Sequence, residues 1–216
     1  MQTVIPGLYA SEPEPLGFGS LQIRAFLLRR ESGNLLVYRS AALEREAREI
    51  HDLGGVSRQY LNHHHEASPA CDWVAGEFGA PLHVHEKDAP PASRVCEVGA
   101  TFSKRHHLDE DFEVIPVPGH TAGATAFLWD SDQHRVLFTG DTVFLGRGGW
   151  RAAVLDGVSD RERYIESLEL LRALDFDLLV PSIAAEDAPY YEFTGKAEAE
   201  QHMDAIIERL RRGESG

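Results

Sequence analysis

The chain has 216 residues, 43% of them hydrophobic and 26% charged, a composition that suits a globular protein with one substantial core. Thirty-five acidic residues against 21 basic ones give a formal charge of −14, which opposes phosphate backbones and argues against nucleic acid as a partner. No apolar run reaches the roughly 18 residues that a membrane span needs, and "MQTVIPGLYASEPEP" lacks the basic and apolar regions of a secretory signal, so no membrane partner and a cytoplasmic location are expected. The two cysteines, Cys71 and Cys96, form no CxxC pair and read as free thiols of a reducing compartment.

In chain order, "LQIRAFLLRRESGNLLVYRSA" reads as a hairpin, with two β-prone segments around the turn-forming cluster Glu31 to Asn34. "ALEREAREIHDLGG" reads as a helix with Leu43, Ala47 and Ile50 on one face, stopped by Gly54 and Gly55. "SRQYLN" is a short strand that delivers three histidines, His63, His64 and His65, at its end. Ser68 then serves as N-cap and Pro69 as first residue of a helix that Gly79 terminates, and "PLHVHE" follows as a strand.

Farther along, "EVIPV", "TAFLWD" and "HRVLFTG" read as strands, the last two joined by a turn at Ser131 to Gln133. "SDRERYIESLELLRAL" is a helix with Tyr164, Leu168 and Leu171 as its buried stripe and a capping box of Ser159 and Glu162. "DLLVPS" is a strand that Pro181 ends. The last helix, "GKAEAEQHMDAIIERLRR", carries Ala199, Met203, Ile206 and Leu210 on one face and a basic C-terminal turn that suits the helix dipole. With no repeat or linker in view, residues 1–216 are expected to form a single domain, and hairpins mixed with crossover helices indicate a layered α/β arrangement.

Three segments place a potential metal ligand just after a strand: His63-x-His65, "VPGHTAGAT" with His120, and "LFTGDTVF" with Asp141. Strand ends are rigid, and the loops that leave them can gather side chains at one sheet edge. His63 and His65 are alternate residues and share a side if the extended backbone persists. Gly140 permits the sharp turn that would aim Asp141 inward. His64, between the two, reads as a surface or partly buried residue. His83 and His85 alternate as well but read as structural, and His106, His107 and His134 as surface positions.

Together these segments resemble the metallo-β-lactamase superfamily, especially its hydroxyacylglutathione-hydrolase-like members, and the likeness runs from about Val4 to the last helix. The resemblance implies an α/β fold, a four-layer αββα sandwich with its site along one edge of the paired sheets. It also exposes departures. The family's His-x-His-x-Asp-His motif has Ala67 for its Asp and Ser68 for its last His, and the usual Pro-Gly-His-Gly reads Pro181-Ser182-Ile183-Ala184. All three missing groups belong to the family's second metal site. The residues of the first site, His63, His65, His120 and Asp141, remain.

That quartet implies at most one divalent metal. Three neutral imidazoles with an open position favour zinc, with Asp141 as a further ligand or as general base. The subset His63, His120 and Asp141 is a two-histidine, one-carboxylate set that suits iron, as in the family's persulfide dioxygenases. The expected function is a mononuclear metal-dependent hydrolase of a small ester, thioester or lactone. The alternatives are an iron oxygenase of the persulfide dioxygenase type and a non-catalytic member with a vestigial site. The expected partner is a small-molecule substrate, and a homo-oligomer is left open. The Gly-rich segment "TVFLGRGGWRAAVLDG", with Arg147, Trp150 and Arg151, reads either as a border of the site or as a loop that only needs glycines to turn. No basic cluster suited to glutathione is evident, so that substrate does not carry over.

Overall fold

A computed structural model describes residues 1–17 and 19–214. They form two compact units, residues 1–103 and 104–216. Among the described residues no helix is long and apolar enough to cross a membrane.

The first unit holds β1 (Gln2–Ile5), β2 (Leu8–Ala10), β3 (Glu14–Pro15), β4 (Leu21–Ile23), β5 (Phe26–Leu28), β6 (Leu35–Val37), α1 (Leu43–Asp52), β7 (Arg58–Tyr60), α2 (Pro69–Phe78), β8 (Leu82–His85), α3 (Ala89–Ala92) and β9 (Ala100–Phe102). Seven strands build one sheet in the order β1-β2-β5-β6-β7-β8-β9. The β5–β6 hairpin is antiparallel, with Phe26 opposite Val37, and from β6 onward the pairs are parallel. Parallel neighbours need crossovers, and α1 and α2 supply them. Leu43 and Ile50 of α1 pack with Val74 of α2 on Ala25, Leu27 and Leu36 of the sheet side. Gly79 ends α2 in the left-handed conformation, φ 68°, where a side chain would be strained. Cys71 and Cys96 are buried free thiols in a small apolar cluster with Leu61, Leu82 and Val84.

The second unit holds β10 (His106–Asp109), β11 (Phe112–Pro116), β12 (Thr125–Asp130), β13 (Arg135–Gly140), β14 (Phe144–Gly146), β15 (Gly149–Arg151), α4 (Arg161–Ala173), β16 (Leu178–Pro181), β17 (Ile183–Ala185), β18 (Glu192–Phe193) and α5 (Lys196–Arg211). Its main sheet runs β10-β11-β12-β13-β16-β18. Only β13 and β16 are parallel there, and α4 connects them. Alternation along β12 sorts its side chains: Ala126 and Leu128 join the core under α4 and α5, while Phe127 stacks on Phe112, 5.6 Å between ring centres. Tyr164, Leu168 and Leu171 of α4 and Met203, Ile206 and Leu210 of α5 are fully buried in that core. Each such side chain contributes about 1.5–3 kcal/mol through removal of apolar surface from water.

Two local expectations change. The segment after Asp141 is not an open loop but the hairpin β14–β15, with Gly146 opposite Gly149 and Gly148 at positive φ in the turn. The N-cap of α4 is Asp160, whose carboxylate accepts the Arg163 N–H at 3.1 Å. Ser159 caps nothing, because its hydroxyl is engaged elsewhere.

Gly119 lies against α4 so closely that a Cβ there would sit 2.5 Å from the Tyr164 Cα. Backbone cannot yield as a flexible side chain does, so Gly119→Ala is expected to lower stability by about 1–3 kcal/mol in urea unfolding. A midpoint equal to the parent's would show that this contact does not confine the loop.

Candidate metal centre

In the first unit the strand β7 ends at Tyr60, the chain bends at Asn62 and His63, and His63, itself extended (φ −157°, ψ 168°), leads into a 3₁₀ turn over His64–Glu66. The extended backbone expected to align His63 with His65 therefore stops at His63. The turn nevertheless keeps the two adjacent, their ring centres 5.0 Å apart and edge to face. His63 is buried and His65 exposed.

The turn is held by buried acceptors. Glu66, 2% exposed, takes the Asn62 N–H on Oε2 at 2.9 Å. Asp88, also 2% exposed, takes the His64 N–H on Oδ2 at 2.9 Å, with His64 Nδ1 3.1 Å from the same oxygen. His64 is thus turned onto Asp88, as expected of a residue outside the ligand set. Asn62 Oδ1 lies 2.9 Å from His63 Nδ1. An amide oxygen only accepts, so His63 carries its proton on Nδ1 and its lone pair on Nε2.

In the second unit His120 follows Pro118 and Gly119 on a loop clamped to the start of α4. Ser167 Oγ donates to the Pro118 carbonyl at 2.7 Å, and the Asp160 N–H to that of Gly119 at 2.9 Å. Ser159 Oγ donates to the His120 carbonyl at 3.0 Å and accepts the Leu155 N–H at 2.9 Å. This double engagement is why Ser159 is not the helix cap. The His120 ring, 1% exposed, donates Nδ1–H to the Ala153 carbonyl at 2.6 Å. Its lone pair is therefore on Nε2 too, and that atom is 3.7 Å from Asp141 Oδ2.

Asp141 leaves β13 after Gly140, whose φ of 56° makes the turn that its sequence position suggests. The single O–H of Tyr164 is shared between two carbonyl oxygens, that of Thr142 at 2.8 Å and that of Asp141 at 3.1 Å. Ser182 Oγ donates to Asp141 Oδ1 at 2.6 Å. Burial pushes the Asp141 carboxyl above the ordinary carboxylate range, while the Ser182 hydrogen bond, and His120 whenever its ring is protonated, act in the opposite direction.

Each unit thus brings two of the expected ligands together: His63 with His65, and His120 with Asp141. Ala67 and Ser68 stand where the first motif departs; Ser68 occupies the N-cap position of α2 without a side-chain cap bond. Ile183, 6% exposed, begins β17. Trp150 is a core residue rather than a ligand contact. Only 3% exposed, it stacks on His202 at 4.9 Å and donates Nε1–H to Glu192 at 2.7 Å. Arg147 is ion-paired with Asp187 at 2.8 Å on the surface. His85 is buried and held neutral-leaning by desolvation, and His83 bonds the Pro81 carbonyl at 2.9 Å. Asn62, Asp88, Ser159 and Ser182 escaped the sequence reading. Asn62 directly precedes the first motif and Ser182 lies within the last, so they were findable; nothing in the sequence ties Asp88 to His64 or Ser159 to His120.

The donor chemistry, imidazole lone pairs on Nε2 and a carboxylate near one of them, suits a divalent cation. The family model of the metallo-beta-lactamase superfamily matches residues 60–183, more than half of the chain, and the chain belongs to that superfamily. A hydroxyacylglutathione hydrolase of Hydrogenovibrio crunogenus is 34% identical over 105 residues, 48% of this chain and 34% of that protein. One of Nitrosomonas eutropha is 26% identical over 136 residues, 59% of this chain and 50% of that protein. The chain thus spans half or less of the length of these two relatives. A metallo-β-lactamase from Pontibacter korlensis shares the fold, with a TM-score of 0.70 at 14% identity over 97% of each chain. The α/β fold implied by the motifs is therefore that of the metallo-β-lactamases.

Replacement of Asp88 by Ala removes a buried acceptor from the His64 N–H. We expect Asp88→Ala to cost about 1–3 kcal/mol in thermal or urea unfolding, and an unchanged midpoint would mean that water replaces the carboxylate without loss.

Proposed function

We propose that His63, His65, His120 and Asp141 together hold one divalent cation, and that the chain is a mononuclear metal-dependent hydrolase of a small ester, thioester or lactone. In this reading the two units act as one catalytic domain over residues 1–216. The observation that carries it is the fixed tautomer of His63 and His120: Asn62 and the Ala153 carbonyl hold the protons on Nδ1, so that both rings offer Nε2. The retained hydrolase likeness and the loss of only second-site ligands support the same reading.

A bound cation of this kind polarises a carbonyl oxygen and lowers the pKa of water to about 7. Zinc suits three imidazoles and a carboxylate best. The chain's own contributions are to orient and to hold protons. Asn62 and Ala153 fix the rings, and Asp141 presents Oδ2 beside His120, 3.7 Å from its Nε2, as the carboxylate ligand of the set.

One observation favours a second reading. Because His65 is exposed whereas His63 and His120 are buried, the better-enclosed set is two histidines and Asp141, a donor set that suits iron and an oxygenase of the persulfide dioxygenase type.

Elemental analysis of protein grown without added metal separates these readings. The hydrolase predicts close to one equivalent of zinc and turnover of activated thioesters or lactones, both lost in His120→Ala. One equivalent of iron with oxygen uptake on a persulfide would establish the second reading instead. Less than about a tenth of an equivalent of any metal, not restored by reconstitution, would contradict both. The combined change Ala67→Asp, Ser68→His and Ile183→His should raise the stoichiometry toward two, and an unchanged ratio would refute the assignment of the lost site to those positions.

A further inference from the structure

Ser182 occupies a position that the superfamily motif fills with glycine, and it is 2% exposed. Its location follows from sheet register. Strands β13 and β16 are parallel, and Gly140 pairs with Pro181 after a shift in register. The next residues on the two strands, Asp141 and Ser182, therefore leave the sheet side by side. The Ser182 N–H bonds the Gly140 carbonyl at 3.4 Å, which ties the two exits together at the backbone. The hydroxyl then reaches Asp141 Oδ1 at 2.6 Å.

Asp141 is restrained at both its main chain and its side chain. Its carbonyl receives Tyr164 OH at 3.1 Å and the Ala153 N–H at 3.3 Å, which fixes the main chain. With the main chain fixed, the remaining freedom is rotation of the carboxylate, and that rotation decides which oxygen approaches His120. The Ser182 bond engages Oδ1, while Oδ2 lies 3.7 Å from His120 Nε2. Two ligand atoms on one cation stand about 3–3.5 Å apart at metal–ligand distances of about 2.0–2.2 Å, so the observed pair needs only a small closure. A carboxylate turned to present both oxygens would have to swing Oδ1 away from its present line to the Ser182 hydroxyl.

We propose that Ser182 is a positioning residue whose hydroxyl holds Asp141 as a one-oxygen ligand through Oδ2. The inference rests on the reading of His120 and Asp141 as ligands of one cation. It adds a device absent from the motif itself: a serine in place of glycine, which commits the second carboxylate oxygen to a hydrogen bond. Partners of metal ligands of this kind tune affinity by about tenfold to a hundredfold.

The test uses the full chain, stripped of metal and titrated with zinc against a chelator, and separately loaded with cobalt(II) for visible spectroscopy. Ser182→Ala is expected to bind zinc about tenfold to a hundredfold more weakly. Its cobalt bands should weaken, because a released carboxylate that binds through both oxygens raises the coordination number. Ser182→Thr, which keeps a hydroxyl, should retain the parent spectrum. If Ser182→Ala also loses stability, the spectrum still decides, since poorer packing alone leaves the ligand field of the loaded fraction unchanged. Parent-like affinity and spectrum in Ser182→Ala, beside weakened binding in Asp141→Ala, would overturn the role of Ser182 while leaving the ligand assignment intact. Parent-like binding in Asp141→Ala would overturn the ligand assignment and the inference with it.

Discussion

An imidazole can bind a cation only through a nitrogen that carries no proton, so the position of that proton decides whether a buried histidine is a ligand or a structural residue. In this chain that proton faces oxygen atoms that can only accept: Asn62 Oδ1 beside His63 and the Ala153 carbonyl beside His120. Everything else around these rings serves to keep the acceptors in place. Glu66 pins the backbone of Asn62, and Ser159 and Asp160 tie the His120 loop to the start of α4. The rings are thereby prepared at the cost of ordering several loop residues.

The same arrangement fits the proposed reading, in which one metal site is kept although three ligand positions of the family's motifs are replaced. The replacements, Ala67, Ser68 and Ile183, are not scattered over the ligands but confined to one half of the family's pair. Ile183 is absorbed into the buried strand β17, and Ser68 lies at the start of α2 without capping it through its side chain. Ser182 goes further if its hydroxyl acts, as we propose, on a retained ligand. Loss of one site and tuning of the other then belong to the same short segment.

Much of this was legible in the sequence because it depends on short-range chemistry. The helices α1, α4 and α5 follow from apolar spacing, α2 from Pro69 at its start and Gly79 at its end, and the strands around Asp141 from β-prone runs bounded by turns. His63, His65, His120 and Asp141 stood out because histidine and aspartate directly after a strand are seldom accidental in a motif. What escaped the reading depends on residues far apart in the chain. Asp88 reaches His64 across 24 positions, and Ser182 reaches Asp141 across 41. Trp150 looked like a candidate recognition residue because its segment follows Asp141 and read as a possible border of the site. The glycines of that segment serve a hairpin that turns the indole into the core. The cap of α4 was misplaced by one residue for a similar reason: Ser159 and Asp160 are both good caps, and only the demand of the His120 carbonyl on Ser159 decides between them.

X-ray absorption at the edge of the bound metal is the sharpest probe of a lone cation held by imidazoles, because it reports the ligands and any neighbouring metal together. A mononuclear site predicts a first shell of nitrogen and oxygen at about 2.0–2.1 Å, with the multiple-scattering pattern of imidazole, and no metal–metal contribution. A second metal at about 3.5–4 Å, or a shell without imidazole scattering, would contradict it.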